Sequence, residues 1–158
     1  MAKKPLILDF SEYDLNSVVA DIEEIRRHNP HRFEMEMLSG VVHCDVEKGQ
    51  IVAAKDVRDD EFWVRGHIPG RPLFPGVLMI EAAAQMCSLY YHLVQKDDRF
   101  LGFGGVDGVK FRGQVAPGDR LLLLGQAVEI RNRRAVFDTQ GVVADRLVFE
   151  ARITGMPI

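Results

Sequence analysis

The chain has 158 residues, of which 47% are hydrophobic and 27% charged, and its formal net charge is −3. That length and balance fit one soluble globular domain with a hydrophobic core of its own. They argue against a dedicated nucleic-acid binder, and the two widely separated cysteines, Cys44 and Cys87, show no metal-type spacing.

The first residues, MAKKPLILDFSEYDL, start basic, but the apolar run before Asp9 is too short for a secretory signal. Residues 15–28 predict a short amphipathic helix, with Val18, Ile22 and Ile25 at helical spacing and Asn29-Pro30 ending it. Residues 35–46 and 50–57 predict a hairpin turning at 47–50. A proline- and glycine-rich loop follows, and then a long apolar helix that starts at Pro75 and ends between Gln95 and Asp98. Its window from Val77 to Val94 is long enough to span a membrane, but Glu81, Gln85 and His92 oppose insertion. Cys87 within it reads as a buried, reduced thiol, so the expected location is the cytoplasm.

Residues 100–114, 120–131, 134–144 and 147–155 predict antiparallel strands, separated by Pro117-Gly118-Asp119, Asn132-Arg133 and Ala144-Asp145. A helix that is apolar nearly all round should be wrapped rather than laid on a surface. The expectation is therefore an α+β domain spanning 1–158, with a curved antiparallel sheet of five to six strands around one long central helix. Such a sheet leaves an edge that a second copy could cover.

The segment FWVRGHIPGRPLFPGVLMIEAAAQ, residues 62–85, carries the chemistry. Pro69, Pro72 and Pro75 stiffen the loop around His67, an imidazole able to take or give a proton near neutral pH. A solvated or capping histidine is the plainer alternative. Glu81 stands among Val77, Leu78, Ile80, Ala82, Ala83 and Ala84, where a carboxylate is costly unless something satisfies it. Burial there would favour its neutral, proton-donating form. Gln85, one turn later, can hydrogen-bond and orient the carboxyl. Gly76 opens the helix, so its N–H could polarise a carbonyl, or the glycine could serve turn geometry alone.

Other candidates are weaker. His28 and His31 flank Asn29-Pro30, and adjacent His43 and Cys44 on a strand should face opposite ways, which disfavours joint metal ligation. Arg131, Arg133 and Arg134 look like solvated turn charge that could still dock an acidic partner. No metal-protease, nucleophile-elbow, P-loop or dinucleotide fingerprint occurs.

The 62–85 segment resembles the signature FFxGHFPxxPxxPGVLxxEAxAQ of the 3-hydroxyacyl-[acyl-carrier-protein] dehydratases, the 3-hydroxymyristoyl-type enzymes of type II fatty acid synthesis. NPHRF at 29–33, GVDGVKFRGQVAPGD at 105–119 and DRLVFEARI at 145–153 are similar to further segments of that family. The resemblance implies the hotdog fold and dehydration of a 3-hydroxyacyl thioester to the trans-2-enoyl thioester, without metal or redox cofactor. It also implies a homodimer with shared active sites, in some members a hexamer of three dimers. His67 of one subunit would then face Glu81 of the other, with the Gly76 N–H on the thioester carbonyl. The partner implied is an acyl carrier protein, and Arg65, Arg71, Lys110, Arg112, Arg131, Arg133 and Arg134 are candidates for its docking surface. Neither nucleic-acid binding nor membrane insertion is expected.

The chain departs from the family pattern at EMEMLSGV, 34–41, where Glu34 replaces a proline and Ser39-Gly40 an Asp-Arg pair. It reads FLGFG at 100–104, where many members carry a tyrosine that can gate the tunnel. Competing expectations are a hotdog thioesterase, an isomerising dehydratase (disfavoured because those usually carry aspartate at the Glu81 position), and a non-catalytic paralogue that binds acyl carriers or lipids.

Overall fold

A computed structural model describes residues 3–158. In chain order its elements are α1 (Ile22–His28), a 3-10 turn (Phe33–Met35), β1 (Gly40–Asp45), β2 (Gln50–Asp56), α2 (Gly76–Gln95), β3 (Leu101–Phe111), β4 (Arg120–Arg131), β5 (Arg134–Val143) and β6 (Arg146–Pro157). The six strands form one antiparallel sheet in the order β1-β2-β4-β5-β6-β3.

The sheet curves around α2, as the expected hotdog architecture requires. From Met79 to His92 most of the helix is buried: Met79, Ala82, Ala83, Met86, Leu89 and Tyr91 are each at most 3% exposed. Inward-facing side chains of every strand meet it, among them Val41, Ile51, Ala53, Leu121, Leu123, Phe137, Phe149 and Ile153. Length and composition alone would let Gly76–Gln95 cross a membrane, but 61% of the relevant window is buried inside the fold. It is a core helix. Its first turn is different, for Val77 is 69% exposed.

Two sequence expectations need correction. The helix expected over 15–28 begins only at Ile22, because Asp21 caps it by accepting the Glu24 N–H at 2.9 Å. Upstream, β-branched Val18 and Val19 lead into a bridge between Ala20 and Val41, and the Val19 N–H donates to the Val41 carbonyl at 2.8 Å. The first strand, expected from residue 35, begins at Gly40 because 33–35 form a 3-10 turn instead.

The four leucines of β4 explain a second feature. Leu121 and Leu123 face α2, while Leu122 and Leu124 point to the outer face with Val42, Val52, Ala54 and Val142. That outer face is sealed by the N-terminal segment through Leu8 and Phe10, each 9% exposed or less. Burial of two such side chains contributes about 1.5–3 kcal/mol apiece. The Ile7 N–H donating to Gln140 at 2.8 Å and the Lys4–Glu150 ion pair at 2.6 Å hold the segment in register.

Candidate active site

The loop that carries His67 is fastened at both ends and open in the middle. At its start, buried Lys55 meets Glu61 at 2.8 Å, and the same Glu61 oxygen accepts the Trp63 indole N–H at 3.0 Å. The other oxygen accepts the Arg58 N–H at 2.8 Å. Burial pushes the Glu61 carboxyl up, but these donors outweigh it and hold it below the ordinary range. Trp63 packs edge-on against Phe74, and the Phe74 N–H donates to the Val115 carbonyl at 2.7 Å. Between these anchors residues 65–71 are exposed.

His67 is oriented from within the loop. Its Nδ1 lies 2.7 Å from the Leu73 carbonyl oxygen, which can only accept, so Nδ1 carries the proton. Neutral His67 therefore presents Nε2 as a free base. The next residue, Ile68, has φ 62°, a sterically unfavourable conformation for a β-branched residue, set where the chain turns back to donate from Arg71 N–H to Ile68 carbonyl at 2.9 Å.

Gly76 starts α2 with Pro75 as its N-cap. A β-carbon at Gly76 would lie 2.8 Å from the Phe111 ring, so only glycine leaves that approach open. As the first helical residue its N–H has no intrahelical acceptor, and none is found elsewhere among the described residues.

Glu81 occupies a different environment. Its side chain is 25% exposed, not enclosed as the apolar neighbours suggested, and it is held by polar partners. Gln85 Nε2 donates to Glu81 Oε1 at 2.8 Å and to the Met35 carbonyl at 2.7 Å, while Gln85 Oε1 accepts the Met37 N–H at 3.1 Å. The atypical 34–41 segment thus packs directly on the glutamine that orients the carboxyl. His31, which sequence spacing could not connect to Glu81, places Nε2 3.5 Å from Glu81 Oε1. Burial holds the His31 imidazole below the ordinary histidine range, Glu81 opposes that shift, and Arg32 adds to it.

A cavity of about 130 Å³ opens beside this group. His31, Glu81 and Gln85 form its polar side, and Cys87, Leu101, Phe103 and Ile153 much of its apolar side. His67 does not line it. Within one chain the two proton-transfer candidates belong to separate places. Gly76 stands at Phe111, the far end of β3, whereas the cavity with Glu81 lies at Leu101, Gly102 and Phe103, the near end.

The basic residues also divide. Arg65, Arg71, Lys110 and Arg112 surround the loop and the Phe111 end of β3, with Arg71 donating to Gln114 at 3.1 Å and Arg112 paired to Glu150 at 2.9 Å. Arg131, Arg133 and Arg134 lie on the β4–β5 turn at the Leu101 end, where Arg99 donates to the Asn132 carbonyl. Arg131 is paired with Glu129 at 3.3 Å. The ten-residue rise of β3 separates the two groups by roughly 30 Å. Cys44 and Cys87 are free, with burial raising both thiols. Among the described residues no group of three or more His, Cys, Asp or Glu side chains is arranged to hold a metal ion.

Residues 29–152 match the FabA-like domain family. The chain belongs to this family. Two curated relatives, both 3-hydroxyacyl-[acyl-carrier-protein] dehydratases FabZ, agree. That of Protochlamydia amoebophila is 35% identical over 87% of this chain and 90% of the relative. That of Teredinibacter turnerae is 39% identical over 84% and 93%. Solved structures share the fold at lower identity. The dehydratase heterocomplex ApeI:P from Xenorhabdus doucetiae superposes with TM-score 0.71 at 16% identity, covering 85% of this chain and 90% of that one. The Campylobacter jejuni protein Cj0977 superposes with TM-score 0.68 at 15% identity, covering 92% and 95%.

Proposed function

We propose that the protein dehydrates a 3-hydroxyacyl thioester, carried on acyl carrier protein, to the trans-2-enoyl thioester. The observation that carries this reading is the division of one site into two halves at opposite ends of a free sheet edge. β3 is one of the two edge strands, and Phe103 and Phe111 are 48% and 51% exposed along it. Antiparallel pairing of two β3 edges about a two-fold axis near Val106 would set residue 111 of one copy against residue 101 of the other. His67 and Gly76 of one protomer would then meet Glu81, Gln85 and His31 of the second. The same pairing would bring the Arg131–Arg134 turn of one copy toward Lys110 and Arg112 of the other, giving an acidic carrier a joined basic rim.

In that composite site the Gly76 N–H, with the partial positive charge of the α2 N-terminus, stabilises charge developing on the thioester oxygen. Nε2 of His67 takes the C2 proton. The C2–H electron pair becomes the C2–C3 double bond as the C3–O bond breaks. Glu81 supplies the proton that lets the oxygen leave as water. His67 ends protonated and Glu81 ionised, and one proton returned through water resets both.

The test is an enoyl-absorbance assay on 3-hydroxyacyl pantetheine thioesters of four to fourteen carbons. The wild-type chain should turn over at least one. His67→Ala and Glu81→Gln should each lose about 10²- to 10⁴-fold in kcat. Release of free thiol from acyl thioester, without enoyl product, would replace this reading with a thioesterase.

A further inference from the structure

Segment 29–37 is tied around Gln85 more thoroughly than chain connection requires. Asn29 Nδ2 donates to the Gln85 carbonyl at 2.9 Å, and Gln85 binds the Met35 carbonyl and the Met37 N–H in turn. Arg32 adds hydrogen bonds to the carbonyls of Arg26, Asn29 and His31. All of this fixes the backbone on both sides of His31. The side chain so delivered is 21% exposed and lines the cavity with Nε2 toward Glu81.

We propose that His31 is a positioning residue for Glu81, donating from Nε2–H to the oxygen that Gln85 already holds, so that the reactive proton of Glu81 sits on Oε2.

His31 Nδ1 is buried and has no hydrogen-bond partner among the described residues. A proton there would be an orphaned buried donor, whereas an unprotonated Nδ1 leaves only a lone pair unpaired, the cheaper arrangement. The remaining proton of neutral imidazole is therefore on Nε2, facing Glu81. Burial, reinforced by Arg32, lowers the basicity of His31 and keeps it in this neutral form, which only an ionised Glu81 opposes. Two donors directed at Oε1 occupy its lone pairs. A carboxyl proton must then reside on Oε2, and once that proton leaves, the charge on Oε1 meets both donors. The 3.5 Å contact is long for a hydrogen bond beside the 2.8 Å bond from Gln85, as such contacts are before a site closes on its substrate.

This inference rests on Glu81 acting as the acid. The experiment compares His31→Gln, whose amide can donate, with His31→Met, similar in size but unable to donate, using the best thioester of the panel above. His31→Gln should keep kcat within about threefold of wild type, and His31→Met should lose roughly 10- to 100-fold with KM within about twofold. Equal kcat in the two variants, beside an inactive Glu81→Gln, would overturn the inference alone. Full activity in Glu81→Gln would overturn the acid assignment and this inference with it.

Discussion

The two halves of the site are built by opposite means. The His67 half is an exposed loop, stiffened by prolines and pinned at Glu61, Trp63 and Phe74, with Arg71 adding a hydrogen bond to Gln114. The Glu81 half lies on a core helix and is held by backbone groups of Met35 and Met37 and the side chains of Asn29 and His31, some fifty residues earlier. On the proposed function, a base that reaches into a second copy can stand on a loop if its ends are locked. An acid that must keep its proton on one oxygen needs partners in its own chain.

The largest effect on the loop half should come from its buried anchor. Lys55→Met or Glu61→Gln would strand one member of an ion pair whose side chains are 4% and 7% exposed, at a cost of about 3–5 kcal/mol. Urea unfolding measures this, and activity should fall with the loop even though neither residue lines the cavity beside Glu81. A change below about 1 kcal/mol would show that the loop does not depend on this anchor.

On the other half, Gln85→Leu leaves the Met37 N–H and the Met35 carbonyl without their buried partner, costing about 1–3 kcal/mol. It also removes the short hydrogen bond to Glu81, so kcat should drop about tenfold even where the protein stays folded. Wild-type kcat in a folded Gln85→Leu would separate the glutamine from the chemistry.

The smallest effect is one of pH, and it distinguishes the halves. The folded His31 value lies below its ordinary 6.5, so the unfolded chain binds the proton first and stability falls as pH drops below about 6.5. The Glu61 value lies below its ordinary 4.5, so its contribution is whole above that pH and fades only as pH falls through the lower folded value. Stability curves against pH should therefore flatten near 6 in His31→Gln and only below 4.5 in Glu61→Gln. Coincident changes in both variants would contradict separate environments.

Much of this was legible in the sequence. Strand and turn positions from Arg120 onward match within one or two residues at most boundaries, because tight turns and β-branched runs are local signals. The 62–85 segment exposed His67, Gly76, Glu81 and Gln85 together. What stayed hidden depends on distance along the chain. His31 meets Glu81 fifty residues on, and Leu8 and Phe10 cover an outer sheet face built by later strands, neither of which periodicity reveals. The helix expected from residue 15 failed for a related reason: Val18, spaced as if helical with Ile22 and Ile25, instead leads into the bridge between Ala20 and Val41, and Asp21 caps the helix at Ile22.

The central claim is that one chain holds two incomplete halves. The direct measurement is subunit complementation: His67→Ala and Glu81→Gln, each inactive alone, are unfolded together, refolded as a mixture and assayed. Random exchange makes half of the dimers mixed, each with one intact site, so the account predicts about a quarter of the wild-type rate. A refolded mixture that forms dimers yet stays as inactive as its parents would contradict it.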